Sequence, residues 1–276
     1  MSVKSAIRAA LHATIGAATT QRLLNIYGDT RSAITYAASP DGRRSGRELR
    51  AMRDRYRGRR AFIIGNGPSL RDMDLSPLRN EVTFGLNRIY LLFERMGFST
   101  TFLVSVNIHV IEQCAGELAA TDAKQIFSWL GRKYIERAQD VTFVRPVSTP
   151  HFARDPSSGL WEGATVTFVA MQLAYHMGFD EVILIGVDHR FASTGEPHAL
   201  VTSRGADESH FDPGYFGKGF RWQLPDLETS EVAYQLALRA FEADGRRVLN
   251  ATVGGRLEVF PRVDYMTLFD AASTSS

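Results

Sequence analysis

Ala61-Phe62-Ile63-Ile64-Gly65-Asn66-Gly67-Pro68-Ser69-Leu70 decides how the chain is read. The apolar run rich in Ile and Phe predicts a buried strand. It breaks at Gly65, and two glycines flank Asn66. Pro68 pre-sets φ for the first turn of the next segment, and Ser69 offers a hydroxyl to backbone N–H groups there. A strand that runs into a Gly-rich turn and a helix start is how α/β proteins present backbone N–H groups to a phosphate or nucleotide. The stretch is neither the GxGxxG dinucleotide fingerprint nor a P-loop, since a third glycine and a Gly-Lys-Ser/Thr are both missing. A tight strand-to-helix turn without a ligand is the alternative reading.

Outward from this stretch, apolar runs alternate with helical patterns. Strands are predicted over 81–87, 101–106, Lys124–Ser128, 141–144, 180–188 and Arg247–Asn250. Helices are predicted over 89–96, 108–120, 163–177 and Leu227–Ala243, with Gly97, Gly178 and Gly245 as stops. The last of these carries Val232, Leu236, Ala240 and Phe241 on one face. This alternation predicts an α/β fold: one Rossmann-like domain with a mostly parallel sheet, over 58–270.

The first 57 residues read differently, as a helical N-terminal extension. They are rich in Ala and Arg, with a helix expected over 5–27, ended by Gly28, and a second over 46–57. Ser39-Pro40-Asp41-Gly42 is the turn signal between them. The Arg-rich run 43–60 suits helices that pack on the core or mediate homo-oligomerisation; a basic face on an anionic membrane is the sharper alternative. Residues 271–276 read as a disordered tail. A net charge of +2 over 276 residues gives no reason to expect a nucleic-acid partner. Cys114 is the single cysteine, which excludes an intrachain disulfide and fits a reducing compartment. The expected location is cytoplasmic, with peripheral contact at the inner face of the membrane.

The candidate site is read from strand ends. Asn66, Asn87 and Asn107 each close a predicted strand, where open α/β sheets bind ligands. Three amides there suit the sugar and base edges of a nucleotide, whereas helix capping explains any one of them. Thr165 opens the helix after Gly163-Ala164, with small residues that leave N–H groups accessible to an anion. Asp188-His189-Arg190 closes the strand over 180–188 and offers an acid, a base and a cation at the same edge. Arg256, beside Gly254-Gly255, is a further candidate for an anion. The polar, Gly-rich and aromatic run 205–221 reads as a lid or substrate loop. Within it His210 suits a general base, in the company of Asp207, Glu208, Asp212 and Lys218. The spacings do not describe a metal site.

With these residues in hand the chain resembles bacterial CMP-sialic-acid-dependent sialyltransferases. It also resembles the MptE-like family, which takes in archaeal hydroxymethylpterin diphosphokinases and domains of Maf-type flagellar glycosyltransferases. Gly65-Asn66-Gly67-Pro68-Ser69-Leu70, Asn87-Arg88-Ile89-Tyr90, Asn107, the helix from Thr165, Gly186-Val187-Asp188 and Ser209-His210-Phe211 carry the resemblance, over roughly 58–269. It implies a modified Rossmann fold of the GT-A type and a metal-independent transferase that takes a nucleotide sugar, CMP-linked by preference, to a glycan or lipid-linked acceptor. Gly65, Asn66, Gly67, Pro68, Ser69, Asn87, Asn107, Thr165 and Asp188 would hold the donor. His210 would be the catalytic base. The sialyltransferases place tyrosines after their Gly-Ile-Asp; here His189, Arg190 and Phe191 stand there, and Arg190 would neutralise the leaving phosphate instead. The MptE-like resemblance admits a second reading, Mg²⁺-dependent pyrophosphoryl transfer from ATP to a pterin, with Asp188, Asp207 or Glu208 on the metal. A third is a nucleotide-binding subunit without catalysis.

Overall fold

A computed structural model of the chain describes residues 16–190 and 195–269. Seven parallel strands form one sheet: β1 (Arg60–Ile64), β2 (Val82–Leu86), β3 (Phe102–Ser105), β4 (Lys124–Ser128), β5 (Thr142–Val144), β6 (Glu181–Ile185) and, last in the chain, β9 (Arg247–Asn250). Their order is β5-β4-β3-β2-β1-β6-β9. The chain winds from β1 through β2 towards β5, and on the other side through β6 to β9. The order therefore reverses between β1 and β6, where Ile64 pairs with Ile185. A crevice opens beyond the carboxyl ends of two strands at such a switch point.

Both faces of the sheet are covered, and the near-continuous apolar strands result from that. Ala61, Ile63, Val182 and Leu184 pack on one face with helix residues Phe168, Met171 and Phe241. Phe62, Ile64, Ile183 and Ile185 pack on the other with Val110, Phe211 and Tyr215. The helices are α1 (Ala17–Ala38), α2 (Pro40–Met52), α3 (Ile108–Gln113), α4 (Val166–His176) and α5 (Leu227–Ala243), with shorter helical turns between. Strands β7 (Leu200–Thr202) and β8 (Arg221–Gln223) form a small antiparallel pair that the sequence pattern did not announce.

Several expectations change. Gly28 does not stop the first helix: α1 passes through it to Ala38, and the break comes where Pro40 starts α2. The part of that expected helix at 5–15 lies outside the described residues, as do Phe191 and the tail over 271–276. The helical pair is tied to the domain. Leu49 and Met52 sit in the core, and the Tyr36 hydroxyl donates to the Phe143 carbonyl at 2.8 Å. The stretch over 108–120 is two short helices broken at Cys114. Helix α5 turns Ala233, Tyr234, Ala237 and Phe241 inward, and Val232 is exposed. The run expected as a lid or substrate loop is irregular up to β8 and anchored from within: Phe211, Tyr215 and Phe216 are buried in the core, while His210 lines both cavities.

Candidate functional site

The turn after β1 is packed against the end of β6. A Cβ on Gly65 would overlap the Gly186 carbonyl, and one on Gly67 would overlap the Asp188 carboxylate. The two glycines thus serve close approach of two backbones, not an unusual φ. Their N–H groups are spent there. Gly65 donates to the Ile185 carbonyl and Gly67 to the Gly186 carbonyl, each at 2.8 Å. Pro68 begins a 3₁₀ turn over Pro68–Leu70. Ser69 does not cap it: its hydroxyl donates to Asp188 Oδ2 at 2.7 Å and its N–H to Oδ1 at 3.2 Å. Asp188 is accordingly buried and bound internally. Beside it the Arg256 N–H donates to the Asp188 carbonyl at 2.9 Å.

Two adjoining cavities open at this edge. The first, about 140 Å³, is lined by Gly65, Asn66, Gly67, Asn87, Thr165, Asp188, His189, Arg190 and His210, among others. The second, about 530 Å³, holds Asn107, Trp161, Glu162, His198, Trp222 and Asp226. Asn87, Ala164, Thr165, Val166, His210 and Pro225 line both, and so form the seam. The expected residues from six separate stretches therefore line one or both cavities, whereas Pro68 and Ser69 line neither, Ser69 reaching the first only through Asp188.

The three asparagines differ. Asn66 Oδ1 is buried with no hydrogen-bond partner, a costly state for a carbonyl. Asn87 accepts from the Ser105 hydroxyl at 3.0 Å. Asn107 caps α3, accepting from the His109 N–H at 2.9 Å. Thr165 caps α4 through the Thr167 N–H at 3.3 Å, and its own N–H donates to the Glu162 carbonyl. Arg190 is exposed at the mouth and forms no ion pair among the described residues.

Strain marks the same place. Five non-glycine residues among those described have positive φ: Asp54, Asn87, Ala164, His189 and His198. All but Asp54 line one or both cavities. Such backbone costs on the order of 1–3 kcal/mol per residue and clusters where geometry is functional.

His210 is buried at the seam, its ring stacked on Tyr215 at 4.0 Å between centroids. Its Nδ1 lies 2.8 Å from Asp207 Oδ2. Asp207 also accepts from the Ser209 N–H at 2.8 Å and the Phe216 N–H at 3.2 Å. Burial pushes the Asp207 carboxyl up, but the hydrogen bond and charge of His210, with these N–H groups, outweigh it and hold it below its ordinary value. An ionised carboxylate on Nδ1 takes the ring proton there and makes Nε2 the basic nitrogen. The loop is sutured to the β1 turn: Arg71 donates to the His210 carbonyl at 2.7 Å, and the Phe211 N–H to the Asn66 carbonyl at 2.9 Å.

Glu162 is the residue sequence reasoning missed. It sits in the loop before α4, and Ser128 at the end of β4 donates to it at 3.0 Å. Burial pushes its carboxyl up to about 7, against the opposing Ser128 hydrogen bond. The signal available was a lone acid between Trp161 and Gly163 just ahead of the strongest helix; its partner is remote in sequence.

A sequence model described as 6-hydroxymethylpterin diphosphokinase MptE-like matches residues 36–194, which is more than half of the chain. The chain belongs to the MptE-like family. The match begins inside α1, earlier than the resemblance over 58–269 anticipated, and ends ahead of His210. Among solved structures, a MAf glycosyltransferase from Magnetospirillum magneticum AMB-1 is similar at 15% identity with a TM-score of 0.48. The alignment covers 81% of this chain and 38% of that one, so the chain spans well under half of that protein. No curated protein matches. No helix among the described residues is long and apolar enough to cross a membrane.

Proposed function

We propose that this member of the MptE-like family is a transferase that takes a nucleotide-linked sugar, with CMP as the favoured nucleotide, and moves the sugar to a hydroxyl of a glycan or lipid-linked acceptor at the cytoplasmic side of the membrane. One observation carries the reading: the Asp207–His210 pair stands at the seam of two cavities at the switch point of the sheet. The nucleotide occupies the first cavity, where Asn66 and Asn87 read its polar edges. His210 Nε2 takes the proton of the acceptor hydroxyl, whose oxygen attacks the anomeric carbon as the bond to the phosphate breaks. Arg190 meets the charge that develops on the leaving phosphate. Gly67 and Thr165 do not supply N–H groups for that charge, since both donate within the protein. Positioning therefore rests on side chains and on the first turn of α4.

A thermal-shift panel of CMP, UDP, GDP, ADP and ATP, each with and without Mg²⁺, tests the reading. CMP at about a hundred times its Kd adds roughly 2.7 kcal/mol of stability, and His210→Ala keeps that shift while turnover falls by about a hundredfold or more. Full activity in His210→Ala removes the base from the mechanism. The family's description favours a second reading, pyrophosphoryl transfer from ATP to a pterin. Stabilisation by ATP only in the presence of Mg²⁺ would establish that reading in place of the first.

A further inference from the structure

The second cavity differs from the first in its charge. The ionisable groups that line it include Glu162, His198, His210 and Asp226, and among the described residues that line it there is neither Lys nor Arg. His198 Nε2 pairs with Asp226 Oδ2 at 3.1 Å, and His210 with Asp207. Among the described residues Glu162 has no charged partner, and the Ser128 hydroxyl is its single side-chain hydrogen bond. Trp161 contributes a partly exposed aromatic wall, flanked by the largely buried Phe216 and Trp222. Such a wall stacks on the apolar face of a flat or ring-shaped group, and a few polar groups then orient it.

We propose that Glu162 determines specificity in the larger cavity: it accepts a hydrogen bond from a hydroxyl of an uncharged sugar ring laid on the aromatic wall, and it turns away rings that carry a carboxylate or phosphate. This assignment rests on the transferase reading, in which the second cavity takes the acceptor. The physical reason is the missing cation. An anionic ligand entering here loses its water, finds no guanidinium or ammonium, and faces a carboxyl of its own sign. A hydroxyl donor instead supplies a hydrogen bond to a carboxyl that holds one already. The raised pKa of Glu162 has the same cause, a carboxyl buried with too few donors. The charged part of a nucleotide donor is left to the first cavity, which has Arg190 at its mouth.

Phenyl β-D-glucoside and phenyl β-D-glucuronide form a matched pair that differs by one carboxylate. Each is titrated into the full chain, with quenching of Trp161 and Trp222 and saturation-transfer NMR as readouts. The wild-type protein is expected to bind the glucoside at least about tenfold more tightly than the glucuronide. Glu162→Gln keeps the shape and removes the charge, and the discrimination should fall to about threefold or less. Ser128→Ala removes the donor that favours the ionised carboxyl, so discrimination near neutral pH should shrink in the same direction. Equal binding of the two glycosides by the wild-type protein overturns the proposal. So does an unchanged ratio in both variants, or a failure of either glycoside to bind. The CMP thermal shift is measured on the same samples. Loss of that shift with discrimination intact sinks the transferase reading alone, and a normal shift with no discrimination sinks the role of Glu162 alone.

Discussion

Glu162, which lines the larger cavity, and Asp207, which stands behind His210 at the seam, are two carboxyls held in opposite ways. Asp207 accepts hydrogen bonds from the Ser209 N–H, the Phe216 N–H and His210, and its pKa falls despite burial. Glu162 accepts one, from Ser128, and its pKa rises to about 7. Burial pushes both carboxyls up, the more enclosed Glu162 further, and what differs besides is the number and charge of the donors. The loop behind His210 is built to keep an anion that orients a base, and the larger cavity is built around an acid that an incoming ligand can satisfy.

The largest way to break this contrast is Asp207→Asn. The amide donates to Nδ1, moves the ring proton to Nε2 and removes the basic nitrogen. Turnover of the nucleotide sugar that stabilises the protein should fall by about 10²–10⁴-fold, with the nucleotide thermal shift retained. A rate close to wild type would show that the pairing is only structural.

Stability against pH gives the next effect, and the two carboxyls pull it in opposite directions. Glu162 has a folded pKa of about 7 against 4.5 in a free chain, so the folded protein holds a proton that the unfolded chain has released. Its contribution is fully present below about pH 4.5 and is lost as pH rises to about 7, by at most about 3 kcal/mol. Asp207 runs the other way. Its folded pKa lies below 3.8, so its contribution is present above that value and lost as pH falls through the folded pKa. Denaturant unfolding from about pH 4 to pH 8 should show Glu162→Gln losing the decline on the alkaline side. An unchanged decline would place its source elsewhere.

The smallest effect concerns Asn66. Its Oδ1 is buried without a partner, so Asn66→Ala should leave the free protein as stable as wild type or firmer by about 1 kcal/mol. The same change should cut the nucleotide thermal shift. Equal losses in both measurements would make Asn66 a structural residue.

The legible part of this molecule is the part written in local pattern. The apolar runs closed by Gly65 and within 180–188 announced the two strands of the switch point, the second of which ends at Ile185, and Leu227–Ala243 and Arg247–Asn250 were read to the residue. Asn66, Asp188 and His210 were legible as strand-end or loop residues of unusual company. The rest depended on partners far along the chain. Strands β7 and β8 are three residues each, and Leu200 is exposed, so no alternation marks them. The burial of the aromatic residues of the His210 loop was not legible, because it comes from packing against the sheet and against residues far along the chain. Glu162 carried no motif, since its character comes from Ser128 and from the packing around both.

The clasp on the outer strand bears on how the chain could be shortened. Strand β5 is the last of its row, and an open strand end-on to solvent is an invitation to pair with another chain. Here the Phe143 N–H donates to the Ser45 hydroxyl at 2.9 Å, and its carbonyl accepts from Tyr36. Arg44 covers the approach, donating to the Ala138 and Val141 carbonyls at 2.7 and 2.8 Å. The first helices thus act as a guard against self-templating, and a fragment beginning near residue 58 would carry the whole cavity pair yet present a bare ribbon edge ready to recruit its own kind.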